Sequence, residues 1–301
     1  MQVKRFLNCN ASDFLNFSKE ELKQSIKASE GRIICSENVV TCEPQVGGVT
    51  NSEIASAFGA DLILLNGFDV FECQIQGLEY NSKDNIIKEL KKLVGRPIGA
   101  NLEPVDLSAD MLETTTKISK GRTASIETFK RANELGLDFI CLTGNPGTGV
   151  TNTEIKKAIK IAKENFNGLI IAGKMHGAGV NEKVCTINDV KEFIEAGADI
   201  ILVPAVGTVP GFREEDLIPI VDYAHANNTL VLSAIGTTQE SASTSYIEQI
   251  ALKNKIIGVD IQHIGDSGYG GLAPCENIIT MSKTVKGLRH TIFRVSTSIN
   301  K

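Results

Sequence analysis

The chain has 301 residues, of which 42% are hydrophobic and 22% are charged, and its formal net charge is −5. The hydrophobic content excludes an intrinsically disordered chain. The acidic balance argues against a nucleic-acid-binding protein, which needs clustered Lys and Arg residues. The seven cysteines are scattered and include no C-x-x-C pair, a pattern that is typical of reduced thiols and argues against a disulfide framework or a zinc site.

The sequence has no apolar stretch that approaches the ~18 residues of a transmembrane helix. Residues 1–10 carry two cations but lack the apolar core of a secretory signal peptide. We therefore predict a soluble cytoplasmic protein with neither a membrane nor a nucleic acid as partner. The sequence leaves a homo-oligomer open.

Short apolar runs alternate with segments of helical periodicity from residue 32 onwards. Each run is almost continuously apolar, as expected of parallel strands that are covered on both faces. The predicted strands span residues 32–35, 62–65, 97–100, 139–142, 169–172, 200–203, 230–232 and 256–261.

Capping signals mark the helices between these strands. A Thr or Ser followed three residues later by Glu has the form of a capping box, and Gly favours the left-handed conformation that ends a helix. The predicted boxes are Thr50/Glu53, Thr151/Glu154 and Ser245/Glu248, and the predicted end residues are Gly59, Gly95, Gly136 and Gly197. A further helix from Ser18 to about Ala28 precedes the first strand, and we expect it to cover the bottom of the sheet.

Eight repeats of strand and helix predict a parallel sheet, and eight parallel strands close into a barrel. The alternative is a doubly wound open sheet, which needs a G-x-G-x-x-G turn after the first strand. Residues 36–40 do not supply that turn. We therefore predict an α/β protein, a single-domain (β/α)8 TIM barrel (residues 31–286) with an additional N-terminal helical extension (1–30) and a C-terminal tail (287–301).

Polar residues follow the predicted strands where each strand ends, which in a TIM barrel is the end that carries the active site. Alternate strand residues share a face, so the same-face pairs are Asn101/Glu103, Thr143/Asn145, Lys174/His176 and Asp260/Gln262. Such residues can simply meet solvent at the sheet edge, but polar groups that face outward would abut apolar helices. The set therefore predicts a polar barrel mouth.

The candidate catalytic residues are Lys174, His176, Glu103 and Glu37. Lys174 would act as a Schiff-base nucleophile or bind an anion. His176 would act as a general acid or base, although a neutral His bonded to a loop carbonyl is an equally good interpretation. Glu37 and Glu103 would supply a base or, together with Asp266, bind a metal. No motif requires a cofactor, and Mg²⁺ is the one candidate.

Gly-rich loops follow the seventh and eighth predicted strands, where barrels often bind phosphate through backbone amides. Asp266 is discordant, because a carboxylate repels phosphate unless it binds a cation or a hydroxyl. The predicted partner is therefore a small phosphorylated or carboxylated metabolite. The predicted substrate-binding residues are Asn66, Asn101, Thr143, Asn145, Ser233, Gly236, Thr237, Asp260, His263, Gly265, Asp266 and Gly268.

Several segments resemble an uncharacterised bacterial TIM-barrel family whose members often carry the label haloacid dehalogenase-like hydrolase. The resemblance lies in residues 144–152, 203–211 and 263–269 and extends to the opening 6–13 and the closing 287–291. The barrel is also distantly similar to the phosphoenolpyruvate mutase-like and phosphosugar-binding barrels. The resemblance implies the barrel fold and no particular reaction.

Three functional hypotheses follow. The first is an enzyme that performs acid-base chemistry next to a carbonyl, which means a lyase, an aldolase or an isomerase. The second is a metal-assisted hydrolase or a phosphonomutase-like enzyme. The third is a non-catalytic barrel that senses a metabolite. A fold alone does not rank them.

Overall fold

A computed structural model describes residues 3–266 and 270–301. Within these residues, eight parallel strands form a closed barrel in chain order, which confirms the predicted (β/α)8 TIM barrel. The strands are β1 (Ile33–Val39), β2 (Leu62–Asn66), β3 (Ile98–Asn101), β4 (Phe139–Leu142), β5 (Leu169–Gly173), β6 (Ile200–Pro204), β7 (Leu230–Ile235) and β8 (Ile261–Ile264).

Helices surround the barrel and precede it. They are α1 (Ala11–Asn16), α2 (Lys19–Lys27), α3 (Asn51–Ala57), α4 (Ile86–Val94), α5 (Ile126–Leu135), α6 (Asn152–Asn165), α7 (Ile187–Ala196), α8 (Glu214–Ala226), α9 (Thr244–Ile257) and α10 (Cys275–Ser296). Short 3-10 turns lie at Phe6–Asn8, Lys83–Asn85, Lys120–Arg122 and Gln239–Ser241. Within the described residues, no helix is both long and apolar enough to cross a bilayer.

Most of the predicted capping signals act as expected. Thr50 and Ser18 form complete capping boxes with the glutamates three residues on, and Gly95, Gly136 and Gly197 end their helices in the left-handed conformation. The prediction at Ser245 is wrong. The side chain of Ser243 caps α9 instead, by accepting the N–H of Tyr246.

The position of the eighth predicted strand is also wrong. Residues 256 and 257 form the last turn of α9, which ends at Gly258 with φ +110°. The apolar run Ile256-Ile257 therefore belongs to a helix, and β8 begins only at Ile261. A short apolar run does not distinguish the end of a buried helix from a strand, which explains the error.

The barrel interior is filled by apolar side chains from alternate strand positions. Phe6, Phe14, Leu22 and Ile26 of the N-terminal segment belong to the same cluster. They pack against the amino ends of the strands, so this segment covers the bottom of the barrel as predicted. The interior residues are Ile33, Cys35, Leu62, Leu64, Phe139, Cys141, Leu169, Ile171, Ile200, Leu202, Leu230, Leu232, Ala234 and Ile261.

The segment predicted as a C-terminal tail is largely helical. α10 changes direction at Gly287, where φ is +74°, and then continues to Ser296. Its second half carries Arg294, which is 2% exposed and donates a 2.7 Å hydrogen bond to the carbonyl of Phe6. The C-terminal helix therefore holds the N-terminal segment against the barrel.

Asp61 is the anion at the centre of this contact, and its side chain is fully buried. Its Oδ2 lies 2.6 Å from Lys286 Nζ, and its Oδ1 lies 2.9 Å from Arg294 Nε. Burial lowers the pKa of Lys286 to about 8, which reflects the cost of holding an ammonium group out of water. Since one carboxylate faces two buried cations, the contact depends on Asp61.

We predict that Asp61→Asn lowers the free energy of unfolding by about 3–5 kcal/mol, because it leaves buried cations without their anion. Chemical denaturation measures this change. Asp84→Asn is the matched control, since Asp84 is 73% exposed where it pairs with Arg131. An exposed pair contributes about 1 kcal/mol or less. Equal losses for the two variants would contradict the prediction.

Candidate active site

A cavity of about 720 Å³ opens at the carboxyl ends of the strands. This is the end of a TIM barrel at which active sites lie. Several of the predicted site residues line the cavity, namely Glu37, Asn66, Asn101, Thr143, Asn145, His176, Gly236, Thr237, Gly265 and Asp266. Gly268 lies outside the described residues.

The alternation of side chains along each strand explains why these residues reach the cavity. Cys35 and Leu64 face the barrel interior, so Glu37 and Asn66, two positions further along the same strands, face it too. In β4, Cys141 faces inward, which directs Thr143 to the cavity. The polar layer therefore lies directly above the apolar filling of the barrel.

Glu37 is the centre of the cavity floor and is 3% exposed. Its Oε1 accepts a 2.6 Å hydrogen bond from Asn101 Nδ2. Its Oε2 lies 3.1 Å from Nε2 of His263, which is fully buried. Since β8 pairs with β1, the carboxylate is held from the first, third and eighth strands.

A second set of hydrogen bonds crosses the cavity, from the loop after β8 to the loop after β3. Asn66 Nδ2 donates to Asp266 at 2.8 Å and to Asn145 Oδ1 at 2.9 Å. Asn145 Nδ2 and its backbone N–H both donate to Glu103 at 2.8 Å. Arg122 Nη2 donates to the same carboxylate at 2.8 Å. Glu103 therefore does not line the cavity itself but positions Arg122 and Asn145, which do.

His176 lines the cavity in its neutral form. Its Nδ1 accepts the N–H of Ala178 at 3.0 Å, so the proton of the neutral ring lies on Nε2. The interpretation in which a loop carbonyl accepts from His176 is wrong, since the backbone group that it contacts is a donor. Burial lowers the pKa of His176, which keeps the ring neutral near pH 7 and leaves Nε2–H as a hydrogen-bond donor.

The prediction that Lys174 points into the barrel mouth is wrong. Lys174 is 1% exposed, is absent from the cavity lining and forms an ion pair with Glu182. Glu182 also accepts the N–H of Asn152 at the start of α6 at 2.9 Å. The next residue, Met175, belongs to the barrel interior. The lysine therefore ties together the loops that follow β4 and β5.

Ser233 and Asp260 are also misplaced by the sequence prediction. Ser233 is buried on the outer face of β7, between the inward-facing Leu232 and Ala234. Asp260 lies at the amino end of β8, where it accepts the N–H of Val231 at 2.8 Å and contacts His225 Nε2 at 2.9 Å. β8 begins only at Ile261, so Asp260 precedes the strand and does not lie at its carboxyl end. Neither side chain belongs to the cavity.

Sequence reasoning missed the residues that the loop between β3 and α5 brings to the cavity. This loop spans residues 102–125 and is fastened by bridges from Val105 to Val150 and from Met111 to Val180. Its length is the signal that could have identified it, since long loops in compact domains are usually functional. The additional lining residues in this loop are Glu113, Thr116, Ile118 and Arg122.

The cavity is more acidic than the sequence predicted. Glu113 and Glu240 line it together with Glu37 and Asp266, and among the described lining residues Arg122 is the only Lys or Arg. Gly265 lies close to the backbone at the end of β7, since a Cβ at this position would be 3.0 Å from the carbonyl oxygen of Ile235. The Gly-rich rim is therefore present, but carboxylates surround it.

The predicted magnesium ligands do not converge. Glu37 contacts Asn101, Glu103 contacts Arg122, and Asp266 contacts Asn66. Across residues 3–266 and 270–301, no three His, Cys, Asp or Glu side chains come together as a metal-binding group. The described residues thus do not fit the predicted Mg²⁺ site, and we assign no role to a metal.

All seven cysteines are free thiols.

The fold and the cavity define a TIM-barrel protein with a polar site at the carboxyl ends of its strands. The family model described as "Domain of unknown function (DUF7916)" matches residues 7–301. The chain therefore belongs to this family, whose description names no reaction. No curated protein matches the chain.

Similar solved structures include a putative lyase/mutase from Burkholderia cenocepacia J2315, with 16% identity, a TM-score of 0.49 and 82% of each chain covered. Thiamine phosphate pyrophosphorylase from Pyrococcus furiosus has 13% identity and a TM-score of 0.48, over 86% of this chain and 98% of that one. A third is 2,3-dimethylmalate lyase, a PEP mutase/isocitrate lyase superfamily member, with 13% identity, a TM-score of 0.48 and coverage of 85% and 81%. These similarities extend to the fold alone, and none of the three proteins is named as a haloacid dehalogenase.

We predict that Lys174 is chemically protected in the native protein, because its amine is buried against Glu182. Reductive methylation followed by peptide mass spectrometry should label Lys174 at least tenfold more slowly than Lys157, whose side chain is 61% exposed. Denaturation should abolish the difference. Equal labelling of the two lysines in the native state would show that Lys174 is accessible.

We predict that His176 and His225 titrate on opposite sides of the ordinary histidine pKa of about 6.5. Burial moves the pKa of His176 below it, and the hydrogen bond that His225 donates to Asp260 moves the pKa of His225 above it. A proton NMR titration of the ring C–H signals measures both, with His176→Gln and His225→Gln for assignment. The opposite order of the two midpoints would overturn the neutral assignment of His176.

Proposed function

We propose that the protein is an enzyme that performs acid-base chemistry next to a carbonyl group of a small metabolite, as a lyase or an isomerase. One observation carries this proposal: a buried carboxylate, Glu37, and a neutral imidazole donor, His176, line the same cavity at the active end of the barrel. Enolisation requires one group that accepts a proton and one that donates a hydrogen bond, and these two side chains supply one each.

Glu37 is the general base. Its carboxylate would accept the proton from the carbon next to the carbonyl. The electron pair of that C–H bond would form a C=C bond with the carbonyl carbon, and the π pair of the C=O bond would move to the oxygen. The contacts with Asn101 and His263 orient the carboxylate. Orientation of this kind lowers the entropic part of the barrier, because the base needs no further ordering in the transition state.

His176 stabilises the charge that develops on the carbonyl oxygen. Its Nε2–H is the free donor of a ring whose Nδ1 already accepts the N–H of Ala178. A neutral imidazole can donate to an enolate oxygen without first losing a charge interaction of its own. A donor aimed at developing charge in a buried site contributes more than it would in water.

Arg122 would hold an anionic group of the substrate, either a carboxylate or a phosphate. One of its guanidinium nitrogens is bound to Glu103, which orients the remaining N–H groups. The carboxylates of the rim favour a substrate with one anionic group over one with several, because like charges repel in a confined cavity. We do not propose a Schiff-base mechanism, because Lys174 lies outside the cavity lining.

Exchange of substrate C–H protons with solvent provides a direct test that needs no knowledge of the complete reaction. Incubation in D2O with a panel of small oxo acids, amino acids and sugar phosphates should cause loss of one C–H signal next to the carbonyl in at least one compound. We predict that Glu37→Gln and His176→Gln each slow this exchange by about 10²–10⁴-fold. His225→Gln is the matched control and should leave it unchanged.

Three outcomes would contradict the proposal. Exchange that persists in Glu37→Gln would exclude this residue as the base. Stabilisation of the protein by a compound that never exchanges or reacts would favour the metabolite-sensing barrel, because a sensor binds without turnover. Added MgCl2 that is required for exchange would favour the metal-assisted alternative.

A further inference from the structure

The floor of the cavity contains buried polar atoms that the protein itself leaves without partners. Asn101 and Thr143 are 3% and 2% exposed, and both line the cavity. The Nδ2 of Asn101 is used by Glu37, but Asn101 Oδ1 and Thr143 Oγ1 have no hydrogen-bond partner among the described residues. A buried polar atom left in this state costs about 1–3 kcal/mol, and a ligand group that donates to it would recover that cost.

The chemistry of these atoms specifies the ligand group. Asn101 Oδ1 and the Glu37 carboxylate only accept hydrogen bonds, and Thr143 Oγ1 accepts as well as donates. A ligand that satisfies them must therefore supply several N–H or O–H groups at one point. An ammonium group carries three donors on one atom, whereas a hydroxyl group carries one.

Charge points to the same group. Glu37 contacts the Asn101 amide and the His263 ring, and no Lys or Arg of the described residues forms an ion pair with it. Arg122 and Lys174 form their ion pairs with other carboxylates, Arg122 with Glu103 and Lys174 with Glu182. A monovalent cation beside the single floor carboxylate would balance its charge, and burial strengthens that attraction relative to water.

We infer that the floor formed by Glu37, Asn101 and Thr143 binds the ammonium group of an amine-bearing substrate. This inference rests on the proposed function, since it names the substrate class for the same cavity: a small amino compound with one anionic group, the ammonium on the floor and the anion at Arg122. The ammonium group then holds the neighbouring carbon next to Glu37, the proposed base.

Methylammonium is the smallest probe of this site, and tetramethylammonium is its control without N–H donors. We expect methylammonium chloride up to 100 mM to raise the melting temperature more than tetramethylammonium chloride at the same concentration. Thr143→Val should weaken the apparent affinity about tenfold, because one hydrogen bond to a charged group is lost. Thr143→Ser keeps a hydroxyl group and should restore binding.

Thr208→Val is the matched control, since Thr208 is also buried but absent from the cavity lining. It should leave the methylammonium response unchanged, even if its own melting temperature falls. Equal shifts from the two ammonium salts, or a response that Thr143→Val does not alter, would overturn the inference. So would a Thr143-dependent response to MgCl2 without one to methylammonium, which would identify a divalent-cation site.

The methylammonium test and the proton-exchange test distinguish failure of the ammonium site from failure of the proposed enzyme. A selective methylammonium response with no exchange of any amino compound would leave the ammonium site in place and remove the proposed enzyme. Exchange limited to compounds without an amine, and lost in Glu37→Gln, would leave the enzyme in place and remove the ammonium site.

Discussion

The two-residue alternation of side chains in a closed barrel determines which strand residues reach the site. In an open sheet both faces can carry polar groups, but here one face meets the helices and the other meets the barrel axis. Glu37 follows Cys35 on the inner face, so its carboxylate is directed to the axis. Lys174 lies one position from the inward-facing Met175, and the same rule directs it away from the cavity.

The cost of burying Glu37 shapes its surroundings. A carboxylate that is 3% exposed needs hydrogen bonds to replace those that it loses with water. Asn101 supplies one bond at 2.6 Å, and the His263 ring lies beside the other oxygen. This support from neighbouring strands leaves the carboxylate oriented towards the cavity. It also leaves Asn101 Oδ1 without a protein partner, which connects the proposed base to the proposed ammonium site.

Local signals were sufficient for the elements that depend on local chemistry. The capping box at Ser18 and the left-handed Gly136 act within a few residues of chain, so their residue types predict them. The buried runs of β4 and β5 are bounded by clear breaks, and they were predicted to within one residue. The error at β8 came from Ile256 and Ile257, whose apolar side chains suit the buried face of α9 as well as they suit a strand.

The sequence by itself determined the barrel, its polarity and the inward position of Glu37, Asn66 and Asn101. Each of these follows from periodicity within a single strand or from the repetition of strand and helix. Only the tertiary structure decided that Arg122 and Glu113 reach the cavity, because the loop of residues 102–125 has no periodicity that fixes its path. The tertiary structure also decided which carboxylate pairs with Lys174, since its partner Glu182 lies in a loop. The two-residue alternation within a strand limits where a side chain can point. Contacts between residues of separate loops form only when the barrel closes.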